Sequence, residues 1–423
     1  MSRYHVWSIG CQMNKAYTEQ LASDLEELGY QSTKGIDEAS IIVINTCVVR
    51  QSAENRVLAK LESVAPFKKL YPDTIVALAG CIVESDDADL RRRFPYVDLF
   101  LKPGESAELL NIARHRAPKE VSGVSSERCP PTAFVTIIEG CDNFCSYCIV
   151  PYRRGREKSR PLTEIRSQVE SLVMRGVREV TLVGQNVDSY GHDLPGRPDL
   201  ADLLQELNDM EGLMRIRFLT SHPKDMTRKL IRAVASLDKV CESISLPVQA
   251  GDDRILQSMG RGYTVQSYRE LIATIRDTIP GVAMWTDVIV GFPGESDDQF
   301  RRTLNLLAEI RFDTVHVAVY SPRPETLASR EFEDDVPLPE KRKRLERVEA
   351  LEKEIASEIN AQLWGQPVDI LVEGKKGGRW WGRTRKGKLV FFDDDAEHLG
   401  QLVKVDIEKT SPWSLQGVLS QAE

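Results

Sequence analysis

Three cysteines lie close together in a short loop that follows an apolar run of the chain. The run AFVTII (residues 133–138) predicts a buried strand, and GCDNFCSYC after it places Cys141, Cys145 and Cys148 at Cys-x3-Cys-x2-Cys spacing. Protein-held four-iron clusters normally use four cysteines, so three thiolates leave one iron open to a non-protein ligand. Structural zinc sites usually combine two Cys-x2-Cys-like pairs, and the sequence has no second pair nearby. The spacing therefore favours an iron–sulfur cluster over zinc or ordinary buried thiols.

Length and charge limit the classes of protein that the chain can belong to. Its 423 residues predict roughly two to four domains. No apolar run is long enough to span a bilayer, and MSRYHVWSIGCQMN has no signal-peptide layout, so we expect a cytoplasmic protein without membrane contact. Thiols stay reduced in that compartment, and the eight cysteines therefore indicate metal or redox chemistry. The net charge of −8 gives no general attraction to nucleic acid, so such a partner needs a local basic patch.

The first segment, up to about residue 118, alternates strand-like and helix-like stretches. This alternation predicts an open parallel α/β sheet covered on both faces. Cys11, Cys47 and Cys81 each follow a predicted strand, about one strand–helix unit apart. Strand ends of one direction share an edge of such a sheet, and helix N-termini favour the thiolate form that metals require. We expect the three cysteines to meet at one metal site; the alternative is three unrelated buried cysteines.

The middle segment, residues 133–351, contains six predicted strand–helix units. Six such units predict an incomplete (β/α)6 barrel with functional groups at the carboxyl ends of the strands. Polar residues follow several of these ends, including Gln185-Asn186, Ser221-His222 and Gln249. We interpret His222 as a packed or surface imidazole. Cys129 and Cys241 have no partner at a suitable spacing, and we interpret both as non-ligands.

The last segment, from about residue 366, has short strand-like runs separated by glycine turns, which predicts a small antiparallel β-barrel. One predicted turn, residues 374–388, is rich in cations, has no acidic residue and carries two tryptophans. Cations that neutralise phosphates beside rings that stack on bases suit RNA. The alternative is a solvated basic hairpin whose tryptophans pack inward. The candidate RNA-binding residues are Lys375, Lys376, Arg379, Trp380, Arg383 and Arg385.

Motifs along nearly the whole chain are similar to those of the methylthiotransferase family of radical S-adenosylmethionine (SAM) enzymes. They include GCQMN, NTC and AGC in the first segment and EGCDNFCSYCIVPYRRGREKSRP at the central cysteines. The motifs LVGQNVDSYG, TSHPKD, LPVQAGDDRIL, DVIVGFPGE and YSPRPETLAS most resemble the branch that acts on isopentenyladenosine in tRNA. The resemblance implies a first domain at 1–118, a linker at 119–132, a radical SAM core at 133–362 and a TRAM-like RNA-binding domain at 363–423. AYTE (residues 16–19) and IVE (residues 82–84) depart from the family pattern beside the first-domain cysteines, not at them.

The resemblance also implies cofactors and roles for individual residues. A [4Fe–4S] cluster on Cys141, Cys145 and Cys148 would bind SAM and cleave it to a carbon radical, and a second cluster on Cys11, Cys47 and Cys81 would carry the added sulfur. SAM is expected near Tyr147, Gln185, Asn186 and Gln249. Arg153, Arg154 and Arg156 would join the small barrel in holding tRNA.

The reaction implied is addition of a methylthio group to C2 of N6-isopentenyladenosine at tRNA position 37, with an electron donor such as flavodoxin or ferredoxin. We expect a monomer. The alternatives are methylthiolation of threonylcarbamoyl-adenosine tRNA or of ribosomal protein S12, or a non-enzymatic iron–sulfur RNA-binding protein.

Overall fold

The structure is a computed structural model, and it describes residues 2–47, 51–83, 87–117 and 129–420. The chain forms two compact units. One comprises Met1–Arg128 together with Tyr152–Gly155, and the other comprises Cys129–Pro151 together with Arg156–Glu423. Much of the expected linker at 119–132 lies outside the described residues. Across the described part of the chain, no helix combines the length and apolarity needed to cross a bilayer.

The first unit contains a five-stranded sheet in the order β2-β1-β3-β4-β5, and every pair of neighbours is parallel. Its elements are β1 (Arg3–Ser8), α1 (Gln12–Glu27), β2 (Gln31–Ser32), β3 (Ile41–Thr46), α2 (Gln51–Leu70), β4 (Ile75–Gly80), α3 (Ala88–Arg93), β5 (Leu99–Leu101) and α4 (Ala107–Arg116), with a 3-10 turn at Ile36–Glu38. All residues of β3 and β4 are buried, as expected for parallel strands covered on both faces. The predicted open parallel α/β fold is confirmed.

The second unit begins with six parallel strands in two three-stranded sheets, ordered β10-β9-β6 and β11-β12-β13. A parallel bridge between Ile216 and Val240 links β10 to the residues before β11. The strands are β6 (Thr132–Thr136), β9 (Glu179–Val183), β10 (Arg215–Phe218), β11 (Ser243–Ser245), β12 (Ala283–Val290) and β13 (Thr314–Val319). The predicted partial (β/α)6 barrel is confirmed. The first predicted strand ends earlier than expected, and Ile138 starts a separate short strand.

Helices and one small ribbon complete this barrel. The ribbon is antiparallel and joins β7 (Ile138–Glu139) to β8 (Lys158–Ser159), and a 3-10 turn lies at Val187–Ser189. The helices are α5 (Val150–Arg154), α6 (Leu162–Met174), α7 (Leu200–Asn208), α8 (Arg228–Ser236), α9 (Asp253–Ser258), α10 (Val265–Thr278), α11 (Asp297–Ile310), α12 (Leu327–Glu331) and α13 (Leu338–Ala361). α11 shows why they begin where they do: Ser296 and Gln299 form a capping box, and Phe300, Leu307 and Ile310 are buried at helical spacing.

The chain ends in a closed five-stranded barrel in the order β14-β15-β16-β18-β17. Its strands are β14 (Pro367–Lys376), β15 (Arg379–Thr384), β16 (Leu389–Phe392), β17 (Leu402–Thr410) and β18 (Leu415–Leu419). The predicted small barrel is confirmed, but the predicted turn at 374–388 is wrong in extent. β15 lies inside it, and the reversal between β14 and β15 is made by Gly377 and Gly378, both at positive φ. The basic residues therefore lie on paired strands, where alternate side chains face opposite sides.

Candidate functional site

The first unit brings its three sequence-predicted cysteines to one edge of the sheet. Cys11 precedes α1, Cys47 follows β3 and Cys81 follows β4, and β1, β3 and β4 are neighbours. A hydrogen bond with the Cys47 thiol lowers the pKa of Cys11 to about 6, although burial opposes this shift. A Cβ atom at Gly10 would lie only 2.4 Å from the Cβ of Cys47, so glycine at this position permits the close approach of the two segments.

Arg154 also lies at this cysteine site, because the segment Tyr152–Gly155 belongs to the first unit. Its Nη2 is 3.4 Å from Oδ1 of Asn14, a buried residue whose amide donates to the carbonyl of Thr46 at 2.6 Å. The guanidinium also lowers the pKa of Cys11 and opposes the effect of burial, which raises the pKa of Cys81. This placement could not be predicted from the sequence, where the resemblance implied that Arg154 holds tRNA.

The second unit positions the other three cysteines in a loop anchored by backbone contacts. Ser146 is the anchor: its N–H donates to Met259 O at 3.0 Å, its hydroxyl donates to Ser258 O at 2.7 Å, and its carbonyl accepts the N–H of Ala328 at 2.7 Å. Burial raises the pKa of Cys141 to about 11 and that of Cys148 to about 12, and the neighbouring Cys145 adds to both shifts. Thiols with a pKa raised by burial ionise at neutral pH only when a cation binds to them, which is the behaviour of metal ligands.

Arg261 contacts one of the central cysteines, and the sequence analysis did not single it out. Its Nη1 donates to Cys145 Sγ at 3.3 Å, its Nη2 to Pro247 O at 3.1 Å, and its Nε to the Tyr263 hydroxyl at 2.9 Å. The residue is only 5% exposed. An arginine just after a short helix fits many structural roles, and only the fold shows that this one contacts Cys145.

Three buried polar atoms at the carboxyl ends of β9 and β10 have no hydrogen-bond partner in the described structure: Gln185 Oε1, Asn186 Oδ1 and His222 Nε2. Leaving such atoms unpaired costs about 1–3 kcal/mol each, so they indicate a ligand. The Asn186 amide is oriented by a 2.7 Å bond to Asp225 Oδ2. Donors and acceptors of this kind fit the ribose, adenine and amino-acid groups of SAM.

His222 offers a defined donor. Its Nδ1 accepts the N–H of Lys224 at 3.2 Å, so the neutral ring carries its proton on Nε2. Burial, helped by the charges of Arg261 and Lys224, lowers the pKa of His222 to about 3 and keeps the ring neutral. The interpretation of His222 as a packed imidazole explains its burial but not the unpartnered Nε2.

Tyr147 and Gln249 occupy the same carboxyl-end region. Burial raises the pKa of Tyr147 well above its usual range, so its hydroxyl stays protonated. Gln249 is 8% exposed and adopts φ +69°, and its backbone pairs with β12 through Asp287 O and the N–H of Ile289. Such a backbone conformation in a non-glycine residue is concentrated at functional sites. Their contact with SAM stays a prediction.

The small barrel divides the predicted RNA-binding residues into two groups. Lys375 and Lys376 are exposed at the end of β14. Arg379 pairs with Asp393 at 3.1 Å, and Arg383 pairs with Glu373. Asp393 and Glu373 both lie outside the predicted basic turn at residues 374–388. The charge around this part of the barrel is therefore less positive than the sequence indicates. Lys375 and Lys376 are the most exposed residues of this set, and their contact with phosphate stays a prediction.

Trp380 and Arg385 both make structural contacts within the second unit, and their role in RNA binding stays a prediction. Trp380 is 4% exposed within the barrel core, and its Nε1 donates to Ala396 O at 3.1 Å, so its ring has no open face for a base. Arg385 donates to Glu242 at 2.7 Å and to Val240 O at 2.5 Å, both in the radical SAM core region. The inward packing of tryptophan in the alternative interpretation therefore holds for Trp380.

Arginines of the core strand β10 reinforce this junction. Arg215 Nη1 donates to Arg383 O at 2.6 Å, and Arg217 donates to Arg385 O and Thr384 O, each at 2.6 Å. Arg217 is itself paired with Glu179 at 2.7 Å. Buried guanidinium groups thus bind the carbonyl groups of β15 and of the residue after it.

Comparison with known proteins defines the class. Residues 135–307 match the radical SAM superfamily, residues 362–419 match the TRAM domain, and residues 3–102 match the uncharacterized protein family UPF0004. The fold is similar to that of the radical SAM methyltransferase TsrM from Kitasatospora setae, with a TM-score of 0.57, 13% identity, and coverage of 78% of this chain and 77% of that one. The chain is a radical SAM protein that ends in a TRAM domain.

Full-length relatives define the family more narrowly. The chain is 50% identical to the tRNA-2-methylthio-N(6)-dimethylallyladenosine synthase of Dehalococcoides mccartyi (strain CBDB1), over 99% of both chains. It is 49% identical to the enzyme of that name from Roseiflexus sp. (strain RS-1), over 100% of this chain and 90% of the relative, and 48% identical to that of Chloroflexus aurantiacus, over 98% and 91%. The chain belongs to the tRNA-2-methylthio-N(6)-dimethylallyladenosine synthase family. This membership and the radical SAM match confirm the predicted cofactors, SAM and two [4Fe–4S] clusters.

Proposed function

We propose that this chain adds a methylthio group to C2 of N6-isopentenyladenosine at position 37 of tRNA. The observation that carries the proposal is the pair of three-cysteine sites, one in each compact unit, because methylthiolation needs both a radical and a sulfur source. The relatives' shared name supports tRNA as the substrate, and the TRAM domain supports RNA binding.

Residues of both compact units would hold the cofactors. When bound, the clusters supply the electron that cleaves SAM and the sulfur that is inserted. Cys141, Cys145 and Cys148 would hold the SAM-binding cluster, and Cys11, Cys47 and Cys81 the second one. We propose that Gln185, Asn186 and His222 orient SAM, because their buried polar atoms have no partner within the described residues. Tyr147 and Gln249 would complete this pocket.

The substrate must present its adenine outside the base stack, because a stacked base does not reach a radical formed inside a barrel. We propose that Lys375 and Lys376 hold tRNA phosphates, with Arg379 as a weaker contributor because Asp393 partly neutralises it.

The decisive experiment compares tRNA nucleosides from a strain with and without this protein by mass spectrometry. We expect 2-methylthio-N6-isopentenyladenosine to disappear in the deletion strain and its unmethylthiolated precursor to accumulate. Loss of the methylthio form of threonylcarbamoyl-adenosine, or of the modification of ribosomal protein S12, would move the activity to another substrate. Unchanged levels of all three would refute a methylthiotransferase.

Two cysteine variants test the division of labour between the sites. Cys145→Ala should abolish the formation of 5′-deoxyadenosine from SAM in reduced protein. Cys47→Ala should keep this cleavage but stop sulfur insertion. A Cys47→Ala protein that is folded, as judged by circular dichroism, and that has lost both activities would contradict this division.

The remaining expectations concern partners and context. We propose a flavodoxin or ferredoxin as electron donor, a monomeric enzyme and a cytoplasmic location, since tRNA is modified there. The three-domain division at residues 118, 132 and 362 also stays a prediction. Sedimentation analysis of the reconstituted protein, alone and with tRNA, tests the oligomeric state.

A further inference from the structure

Arg261 carries a buried positive charge that no carboxylate of the described residues pairs with. The residue is 5% exposed, and its hydrogen bonds go to Cys145 Sγ, Pro247 O and the Tyr263 hydroxyl. Among the described residues, its hydrogen-bond and charge partners are tyrosines, a cysteine and a backbone carbonyl, and none is an aspartate or glutamate. A buried guanidinium group without a counter-ion is costly, so the fold retains Arg261 against a substantial desolvation penalty.

The direction of its hydrogen bonds identifies the missing anion. Nη2 and Nε bind neutral oxygen atoms, which fix the plane of the guanidinium group, and Nη1 lies 3.3 Å from Cys145 Sγ. Once Cys145 binds iron it is a thiolate, and hydrogen bonds to such sulfurs are among the factors that set cluster reduction potentials. The exposed arginine Arg254, on the neighbouring helix α9, has no such contact and offers a matched control.

We propose that Arg261 is the buried counter-ion of the SAM-binding cluster and raises its reduction potential. With three thiolates, a [4Fe–4S] cluster carries one net negative charge when oxidised and two after it accepts one electron from the external donor. A fixed cation stabilises the doubly negative form more than the singly negative form, so Arg261 favours reduction. Arg261 is a positioning residue in this role: it acts through Cys145. This inference rests on the cofactors of the proposed function.

The test is an anaerobic redox titration of the reconstituted full-length protein with dithionite, followed by electron paramagnetic resonance. The signal that changes when SAM is added identifies the SAM-binding cluster. We expect Arg261→Gln to make reduction at least tenfold less favourable, a midpoint at least 59 mV lower. Arg261→Lys keeps the charge but loses the planar guanidinium group. Its midpoint potential should fall between those of the wild type and Arg261→Gln. Arg254→Gln should match the wild type.

The outcomes separate this proposal from the proposed function. A wild-type protein with no SAM-responsive cluster would overturn the proposed function and this inference with it. A wild-type cluster whose midpoint is unchanged in Arg261→Gln overturns this inference alone, and weaker SAM binding in that variant would then assign Arg261 to SAM itself. If Arg261→Gln does not retain the cluster, Arg261→Met, which also removes the charge, takes its place: a midpoint equal to wild type in Arg261→Met overturns the proposal.

Discussion

The buried ion pair between Arg344 and Glu295 offers a stringent test of how the core is held together. Arg344, on α13, is 4% exposed in its side chain, and Glu295, in the loop after β12, is 1% exposed. Arg344 Nη1 donates to the Glu295 carboxylate at 2.9 Å and to its carbonyl at 2.8 Å, and the carboxylate also accepts the Gly291 N–H at 2.6 Å. The pair thus closes a loop at the carboxyl end of a barrel strand.

Arg344→Met should therefore destabilise the protein strongly. Charge-assisted hydrogen bonds contribute about 1.5–3 kcal/mol each, and two of them are buried here. The additional pair with Asp297 adds little, because the Asp297 side chain is 78% exposed. We expect a loss of about 3–5 kcal/mol at pH 8.5, the usual cost of leaving one partner of a buried pair alone.

The loss should depend on pH in a defined direction. Burial already raises the pKa of Glu295 above its ordinary 4.5, and removing Arg344 raises it further. A carboxyl group whose pKa is higher in the folded state stabilises the fold when protonated, and this contribution is lost as the pH rises through the folded-state pKa. The penalty of Arg344→Met should therefore be smaller at pH 6 than at pH 8.5.

Urea titrations at both pH values, followed by circular dichroism, measure these differences. Arg342→Met, at an exposed position of the same helix, should change the free energy of unfolding by less than about 0.5 kcal/mol. Adding Glu295→Gln to Arg344→Met removes the unpaired charge and should recover at least half of the loss. A loss below about 1 kcal/mol at pH 8.5, or one that is larger at pH 6 than at pH 8.5, would refute the reasoning.

Three further predictions concern tRNA and SAM. Changing Lys375, Lys376 and Arg379 together to Ala should weaken tRNA binding and reduce its salt slope by about 2–3, and an unchanged slope would remove this part of the barrel from the interface. Arg385→Ala should instead lower the free energy of unfolding by about 1–3 kcal/mol and leave the salt slope of tRNA binding intact, because Arg385 binds Glu242 and core carbonyls. His222→Ala should weaken SAM binding about tenfold in equilibrium dialysis, the equivalent of one lost hydrogen bond, and unaltered affinity would assign Nε2 no part in the pocket.

The sequence predicted the features that depend on local pattern. Continuous apolar runs such as IIVI at 41–44 identify doubly covered parallel strands, and strand–helix alternation identifies the open sheet and the partial barrel. Cysteines just after strands could be assigned to sites because parallel strands end at a common edge. These inferences need only the neighbours of each residue along the chain.

The role of each arginine could not be predicted in this way, because it depends on an anion that is distant in sequence. Arg385 meets Glu242, 143 positions away, and Arg383 meets Glu373 across a strand pair, so a basic stretch in the sequence becomes partly a structural junction. The cysteine sites show the same dependence. Arg154 lies beside Cys11 and Cys81 in the first unit, and Arg261 contacts Cys145 in the second. Clusters held by thiolates are anionic, so a nearby guanidinium group is stabilising at each site. The arginines that do this are identified by the negative charge beside them in the fold, and not by their position in a basic stretch of the sequence.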